Sequence, residues 1–173
     1  MVFLQKFFRW LCEKYFFPDA IYQSIYDVDV DALYEKGVRG LILDIDNTLK
    51  PPGDSPPDER AAEWINRLRD IGFDVCLLSN SLRGRVTKFS SGLGIYAVSY
   101  AKKPAGAGFK KAMRLLGCDA AGVCVIGDQI FTDIFGAKRL GLSAIYTRPI
   151  TKKEEPTIIV KRLLERIVLN QYR

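Results

Sequence analysis

The chain of 173 residues contains no histidine, which removes Ser-His-Asp and Cys-His nucleophile systems, HExxH zinc sites and histidine proton shuttles together. Its four cysteines, Cys12, Cys76, Cys118 and Cys124, show no CxxC spacing, so neither a zinc knuckle nor a redox dithiol is expected. Cys76 and Cys124 fall within apolar runs, where a thiol acts as a small core residue, and this usage fits a reducing interior. No apolar run approaches the roughly 18 residues needed to span a bilayer. The opening segment, MVFLQKFFRWLCEKYFF, is interrupted by Lys6, Arg9, Glu13 and Lys14, and no small-residue cleavage site follows it, so it does not read as a signal peptide. What is present, 48% hydrophobic and 27% charged residues, is the balance of one folded domain. The net charge of +6 favours anionic partners: a phosphorylated substrate, a membrane surface or nucleic acid.

Three zones emerge. Residues 1–36 are aromatic-rich, with Pro18 breaking an opening helical pattern; residues 37–150 form the core; residues 151–173 are a charged amphipathic helix or tail of the same domain. Short apolar runs at 38–43, 73–78, 95–98, 123–126 and 142–146 read as strands. Helical stretches at 58–71, 82–91, 104–116 and 132–140 separate them, three of them stopped by Gly72, Gly117 and Gly141. The alternation predicts a mainly parallel five-stranded α/β sheet flanked by helices. Ligands of such sheets bind beyond the carboxyl ends of the strands.

At those ends stand Asp44-Ile45-Asp46-Asn47-Thr48, then Ser79-Asn80, then Lys102-Lys103-Pro104, then Gly127-Asp128 with Asp133 five residues on. Asp44 and Asp128 make a hard oxygen site suited to Mg²⁺. A carboxylate can attack phosphorus to give an aspartyl-phosphate, splitting one difficult displacement into two. Asp46 is placed to protonate the leaving oxygen and then to deprotonate water. Ser79, with Asn80 and neighbouring N–H groups, can hold phosphate oxygens, and a lysine ammonium can neutralise charge developing in transfer. Spacing alone does not say whether Lys102 or Lys103 turns inward.

This set, Asp44-x-Asp46-x-Thr48, Ser79, Lys103-Pro104 and Gly127-Asp128-x4-Asp133, resembles motifs I to IV of the haloacid dehalogenase (HAD) superfamily. The second Asp resembles the phosphatase branch. FFPD at 16–19, LDIDNTL, LLSNS, AKKPAGAGFKKA and VIGDQIFTDIFGAKRLG are similar to the YqeG family of class IIIA HAD phosphatases, related to enzymes that dephosphorylate phosphatidylglycerophosphate. The resemblance implies a HAD-like Rossmannoid fold and Mg²⁺ as cofactor. It implies Asp44 as nucleophile and metal ligand, and Asp46 as acid/base that lends its main-chain carbonyl to the metal. Ser79 would bind phosphate, Lys103 would be the motif III lysine, Asp128 the second metal carboxylate, and Asp133 a metal support through water. Thr48 and Gly127 are supporting motif positions. The intervals between the motifs are too short for a cap domain. An open rim suits a bulky phosphomonoester such as a lipid head group, without excluding small metabolites.

Plainer accounts stand beside these. Asp44 and Asp46 taken alone could end a strand and cap a loop, Ser79-Asn80 is common at helix entries, and Asp133 could cap the next helix. Gly106 and Gly108 lack the third glycine of a dinucleotide fingerprint and are expected to permit close helix–sheet packing. In the first segment Leu4, Phe8, Leu11 and Tyr15 make an apolar stripe, with Lys6, Arg9 and Glu13 opposite and Trp10, Phe16 and Phe17 encroaching on the polar face. It fits a core-packing helix or one lying in a membrane interface, and seven aromatics in seventeen residues favour the membrane. The tail, with Lys152, Lys153 and Glu154-Glu155 before apolar Ile159, Leu163, Leu164, Ile167 and Val168, is expected to pack on the domain as a solvated amphipathic helix. No nucleic-acid motif is present. The expected setting is cytoplasmic, peripheral at the inner membrane face. The alternatives are a phosphatase of a soluble sugar phosphate or nucleotide, and a non-catalytic membrane-associated scaffold.

Overall fold

The computed structural model describes residues 2–53, 55–151 and 156–172, so the charges at 152–155 lie outside the described residues. The chain runs α1 (Val2–Tyr15), β1 (Ala20–Tyr22), α2 (Val30–Glu35), β2 (Gly40–Leu43), α3 (Glu59–Ile71), β3 (Asp74–Leu78), α4 (Arg83–Leu93), β4 (Tyr96–Val98), α5 (Gly106–Leu116), β5 (Val123–Gly127), α6 (Phe135–Lys138), β6 (Ser143–Thr147) and α7 (Pro156–Asn170). All strand pairings are parallel, in the order β1-β6-β5-β2-β3-β4. The expected five strands are present, and the sheet has a sixth. This is β1, only Ala20-Ile21-Tyr22, too short to show a period in sequence. Asp19 fixes it: its N–H donates to the Ala144 carbonyl at 2.7 Å and its carboxylate accepts the Ala144 N–H at 2.7 Å. The aromatic-rich opening zone thus contributes an edge strand to the sheet.

Local chemistry sets the element ends. Asp58 caps α3 by accepting the Ala61 N–H at 2.8 Å, and Gly72 closes that helix at φ 108°, a conformation costly for any residue with a Cβ. The strands at the centre are buried on both faces, which is why they read as continuous apolar runs rather than alternating ones. One face of the sheet packs on α2, α3 and α4 through Val30, Trp64, Leu68, Val86 and Phe89. The other packs on α1, α5, α6 and α7 through Cys12, Phe109, Ala112, Ala137 and Val168. The glycines expected to bring a helix against the sheet instead bring α5 close to other segments: a Cβ on Gly108 would stand 2.8 Å from the Ala101 carbonyl oxygen, in the loop after β4.

The stretch expected as one helix over 132–140 is instead a wide π turn at Ile130–Ile134 running into α6. The turn returns the Asp133 side chain beneath the end of β5, where a Cβ on Gly127 would sit 2.5 Å from the Asp133 carboxyl carbon. Between Thr48 and Ser79 the chain holds only a loop, α3 and β3, and between Asn80 and Lys103 only α4 and β4, so neither interval carries an inserted domain.

The glycine contacts yield a paired prediction for urea unfolding. A Cβ on Gly136 would meet the buried Phe109 ring at 2.5 Å, so Gly136→Ala should cost about 1–3 kcal/mol. Gly84, in α4 with nothing nearby, should tolerate Gly84→Ala with a gain of up to about 1 kcal/mol.

Candidate active site

Register brings the motif residues to one rim. Leu43 of β2 pairs with Ile126 of β5 and Leu77 of β3, so Asp44, Asp128 and Ser79 each follow their strand by one or two residues at the same level. Chain order reverses across β2 and β5, since β3 and β4 extend the sheet one way and β6 the other. This is the switch point at which doubly wound sheets open a crevice.

Lys103 reaches into that crevice, while Lys102, at φ 53°, stays exposed. The Asn80 side chain braces the Lys103 backbone from both ends, accepting its N–H at 2.7 Å and donating to its carbonyl at 3.3 Å. Asn80 therefore braces Lys103 while itself lining the cleft. The Lys103 ammonium lies 2.5 Å from Asp44 Oδ1 and 2.6 Å from Asp133 Oδ1, all three side chains buried. Asp133 Oδ2 accepts the Gln129 N–H at 3.1 Å, so the residue ties the π turn to Lys103 instead of capping α6.

Asp128 is fully buried. Its Oδ1 accepts from the Thr48 hydroxyl at 3.4 Å, while Arg162 of α7 grips its Oδ2 and its main-chain carbonyl. Glu165, also buried, holds Arg162 at 2.9 Å and accepts the Ile130 N–H at 2.7 Å at the start of the π turn. Asp46 is half-buried and engaged by Arg85 of α4 through both carboxylate oxygens, with the Ser81 hydroxyl donating at 3.3 Å. The buried Ser79 hydroxyl accepts the Ser81 N–H at 3.1 Å. Asp44, Asp46, Ser79, Arg85, Lys103 and Lys161 line an open cleft of 860 Å³.

Arg85, Arg162 and Glu165 were not among the sequence candidates. The tail departs from expectation for the same reason: α7 turns Arg162, Glu165 and Val168 inward, while Ile159, Leu163, Leu164 and Ile167 are exposed. An opposite-charge pair three residues apart inside an apolar helix was the available signal. In α1, Cys12 packs inward while Phe7, Phe8 and Trp10 are exposed, and the side chain of Leu4 lies outside the described residues.

The electrostatics define what the rim can hold. Burial pushes the Asp44 carboxyl up to about 7; Lys103 pulls it back only partly, and Asp133 and Asp46 add to the rise. Burial and the neighbouring Asp44 raise Asp128 well above the usual carboxylate range despite Arg162. Burial alone would lower Lys103, but Asp133 and Asp44 outweigh it and raise it. Carboxylate oxygens of Asp44, Asp128 and Asp133 lie within 4.8 Å of one another, the one such acidic group among the described residues. All its donors are hard oxygens, and three buried carboxylates face two cations. The set therefore fits a small divalent ion of the Mg²⁺ type.

A doubly wound parallel sheet thus carries a lysine-bridged cluster of buried carboxylates at its switch point. The chain belongs to the haloacid dehalogenase-like hydrolase family, whose model matches residues 3–141, and within it to the YqeG-like phosphatases. Probable phosphatase YqeG of Bacillus subtilis (strain 168) is 32% identical over 160 residues, 92% of this chain and 93% of that one. Phosphatidylglycerophosphate phosphatase 1, chloroplastic/mitochondrial, of Arabidopsis thaliana is 28% identical over 162 residues, 87% of this chain and 46% of that protein, about half its length. The solved 3-deoxy-D-manno-octulosonate 8-phosphate phosphatase from Yersinia pestis shares the fold, with TM-score 0.55, 18% identity and coverage of 87% and 89% of the two chains.

Two outcomes are expected of the rim. The raised Asp44 acid keeps its proton in the folded state up to about pH 7, whereas the unfolded chain releases it near 3.8. Ionised Asp44 therefore destabilises the metal-free fold, with no cost below about pH 4 and the full cost above 7. In EDTA, Asp44→Asn should become more stable than the parent as pH rises through this window, by up to about 4 kcal/mol in chemical denaturation. An unchanging difference from pH 4 to 8 would refute the assignment. Removing the cation from Asp128 should be severe: Arg162→Met is expected to cost about 3–5 kcal/mol in urea at pH 8, with partial recovery in Arg162→Lys.

Proposed function

We propose that the protein is a Mg²⁺-dependent phosphomonoester hydrolase that works through an aspartyl-phosphate at Asp44. The observation that carries this reading is the Lys103 ammonium seated between Asp44 and Asp133, beside Asp128 and at the floor of an open cleft. Asp44, Asp128 and the main-chain carbonyl of Asp46 would hold the metal, with Asp133 in support. When bound, the ion supplies charge that draws Asp44 into its ionised form and offsets repulsion between two anions.

The protein groups divide the chemistry. An Asp44 carboxylate oxygen attacks phosphorus, the phosphorus–ester oxygen bond breaks, and the departing oxygen takes a proton from Asp46. Asp46 then accepts a proton from water as that water attacks phosphorus, and breaking the aspartyl-phosphate bond releases phosphate and restores Asp44. Lys103 and the Ser79 hydroxyl hold the transferring oxygens. Arg85 pairs with Asp46 in the free protein, and an arriving phosphate offers it a second anion, which frees Asp46 to take up its proton.

The favoured substrate is phosphatidylglycerophosphate. The uncapped cleft, its cationic Arg85 and Lys161, and the named activity of the Arabidopsis relative support a lipid head group. Exposed Phe7, Phe8 and Trp10 support peripheral contact of residues 1–17 with the cytoplasmic face of the inner membrane. No helix among the described residues is long and apolar enough to cross a membrane.

The decisive experiment measures Mg²⁺-dependent phosphate release from phosphatidylglycerophosphate in mixed micelles beside soluble phosphomonoesters. Lipid turnover should fall by at least about a thousandfold in Asp44→Asn. Turnover of soluble esters alone would replace the lipid assignment with a sugar phosphate or nucleotide. Turnover of neither would favour the scaffold.

A further inference from the structure

The helix α7 is inverted relative to an ordinary surface helix. An amphipathic helix on a domain buries its apolar stripe and shows its charges to water. Here the two inward charges, Arg162 and Glu165, bind Asp128 and the Ile130 N–H, and only Val168 of the large aliphatics is fully covered. Ile159, Val160, Leu163, Leu164 and Ile167 are 49%, 59%, 55%, 51% and 54% exposed. Their spacing places them along one side of the helix, so they form a stripe and not scattered surface residues.

The charges on that outer side are of one sign. Lys161 and Arg166 are exposed, whereas Glu165, the sole acidic residue of α7, is buried. Among the described residues of α7 the outward face is therefore an aliphatic stripe flanked by cations, with no exposed carboxylate. A second copy docked on it symmetrically would gather four cations with no acid of the face to offset them. An anionic bilayer matches both properties, since acyl chains take the aliphatics and headgroup charge takes the cations.

Position connects this face to the chemistry. Ile158 and Lys161, on the first turns of α7, line the same cleft as Asp44 and Lys103. Arg162 ties the helix to Asp128, so α7 cannot lie on a surface without bringing the rim with it. Beyond the far end of α7, Tyr172 meets Phe17 edge to face at 5.4 Å, which sets α7 next to the helix bearing exposed Phe7, Phe8 and Trp10.

We propose that the outer face of α7 is the surface by which the protein docks on an anionic lipid bilayer, setting the mouth of the catalytic cleft at headgroup level. The proposal deepens the lipid-phosphate reading and rests on it for the role of docking, while the docking itself is tested without substrate. Full-length protein is floated with vesicles of phosphatidylcholine alone and of phosphatidylcholine mixed equally with phosphatidylglycerol, a phosphodiester. The parent is compared with Leu163→Glu/Ile167→Glu on α7 and with Phe8→Glu/Trp10→Glu on α1. Hydrolysis of para-nitrophenyl phosphate and the melting temperature report whether each variant is folded.

The parent should float with the mixed vesicles, and the α7 variant should bind them at least about tenfold more weakly while keeping its soluble-ester turnover. Equal flotation of parent and α7 variant, a loss confined to the α1 variant, or no flotation of the parent would each overturn the proposal. So would a parent dimer that the α7 substitutions convert to monomer without any vesicle binding. Docking without hydrolysis of the micellar lipid would leave the α7 surface standing and remove the substrate assignment. Hydrolysis without docking would do the reverse.

Discussion

The Lys103 ammonium sits 2.5 Å from Asp44 and 2.6 Å from Asp133, in a setting almost closed to water, and the rest of the rim is arranged around that contact. Desolvating one carboxylate is costly, and desolvating three beside one another costs more than pairwise attraction to two cations returns. The residue of that imbalance is visible in Asp44 and Asp128, both raised despite their cationic partners. A cluster left short of positive charge is suited to a divalent ion. The same shortage makes the ion-free fold less stable than its apolar core would otherwise allow. On the proposed function, activity and stability pull in opposite directions on the same three side chains.

The fold tolerates this cluster because it lies where the sheet cannot provide apolar cover. At the switch point between β2 and β5 the connections leave in opposite directions, so the strand ends face a crevice and not a packed helix. Each member of the cluster is held by an element with its own core anchoring. Asp44 follows a wholly buried strand, Asp133 is carried on the π turn, and Lys103 is held by the Asn80 amide. The glycine at 127 is required on steric grounds, since any side chain there would occupy the place of the Asp133 carboxyl. Preorganisation here is a property of backbone geometry as much as of ion pairing.

What the sequence reveals of this arrangement follows from how narrowly chemistry restricts each position. Asp44, Asp128 and Lys103 stand at the ends of apolar runs because few residue types can supply their charge, and the runs themselves are unmistakable when a strand is buried on both faces. β1 is invisible by the same criterion: three residues carry no period, and the interaction that defines it, Asp19 with Ala144, spans 125 positions. The inward side of α7 is hidden for a different reason. Periodicity identifies the apolar stripe but assigns it to the core by default, and here two buried charges outcompete five aliphatics for contact with the domain. Arg85 reads as an ordinary cation in a helix until tertiary structure puts Asp46 against it, and the bracing of the Lys103 backbone by Asn80 likewise appears only in three dimensions.

The two arginines at the rim divide the site into a fixed part and an exchangeable part, and burial decides which is which. Arg162 and Asp128 retain 13% and 0% of their side-chain exposure, so breaking that pair strands a charge away from water, at a cost of about 3–5 kcal/mol. Arg85 and Asp46 retain 23% and 27%, so hydration and screening reach that pair far more than they reach Arg162 and Asp128. An anion in the cleft meets Arg85, which lines it, and not Arg162, which is turned toward Asp128. On the proposed mechanism, the carboxylate that changes protonation state, Asp46, is the one with the more exposed partner. The carboxylate that must keep its place is locked from behind by α7. A single difference in depth, the buried end of β5 against the half-open loop after β2, separates a sealed ion pair from an accessible one.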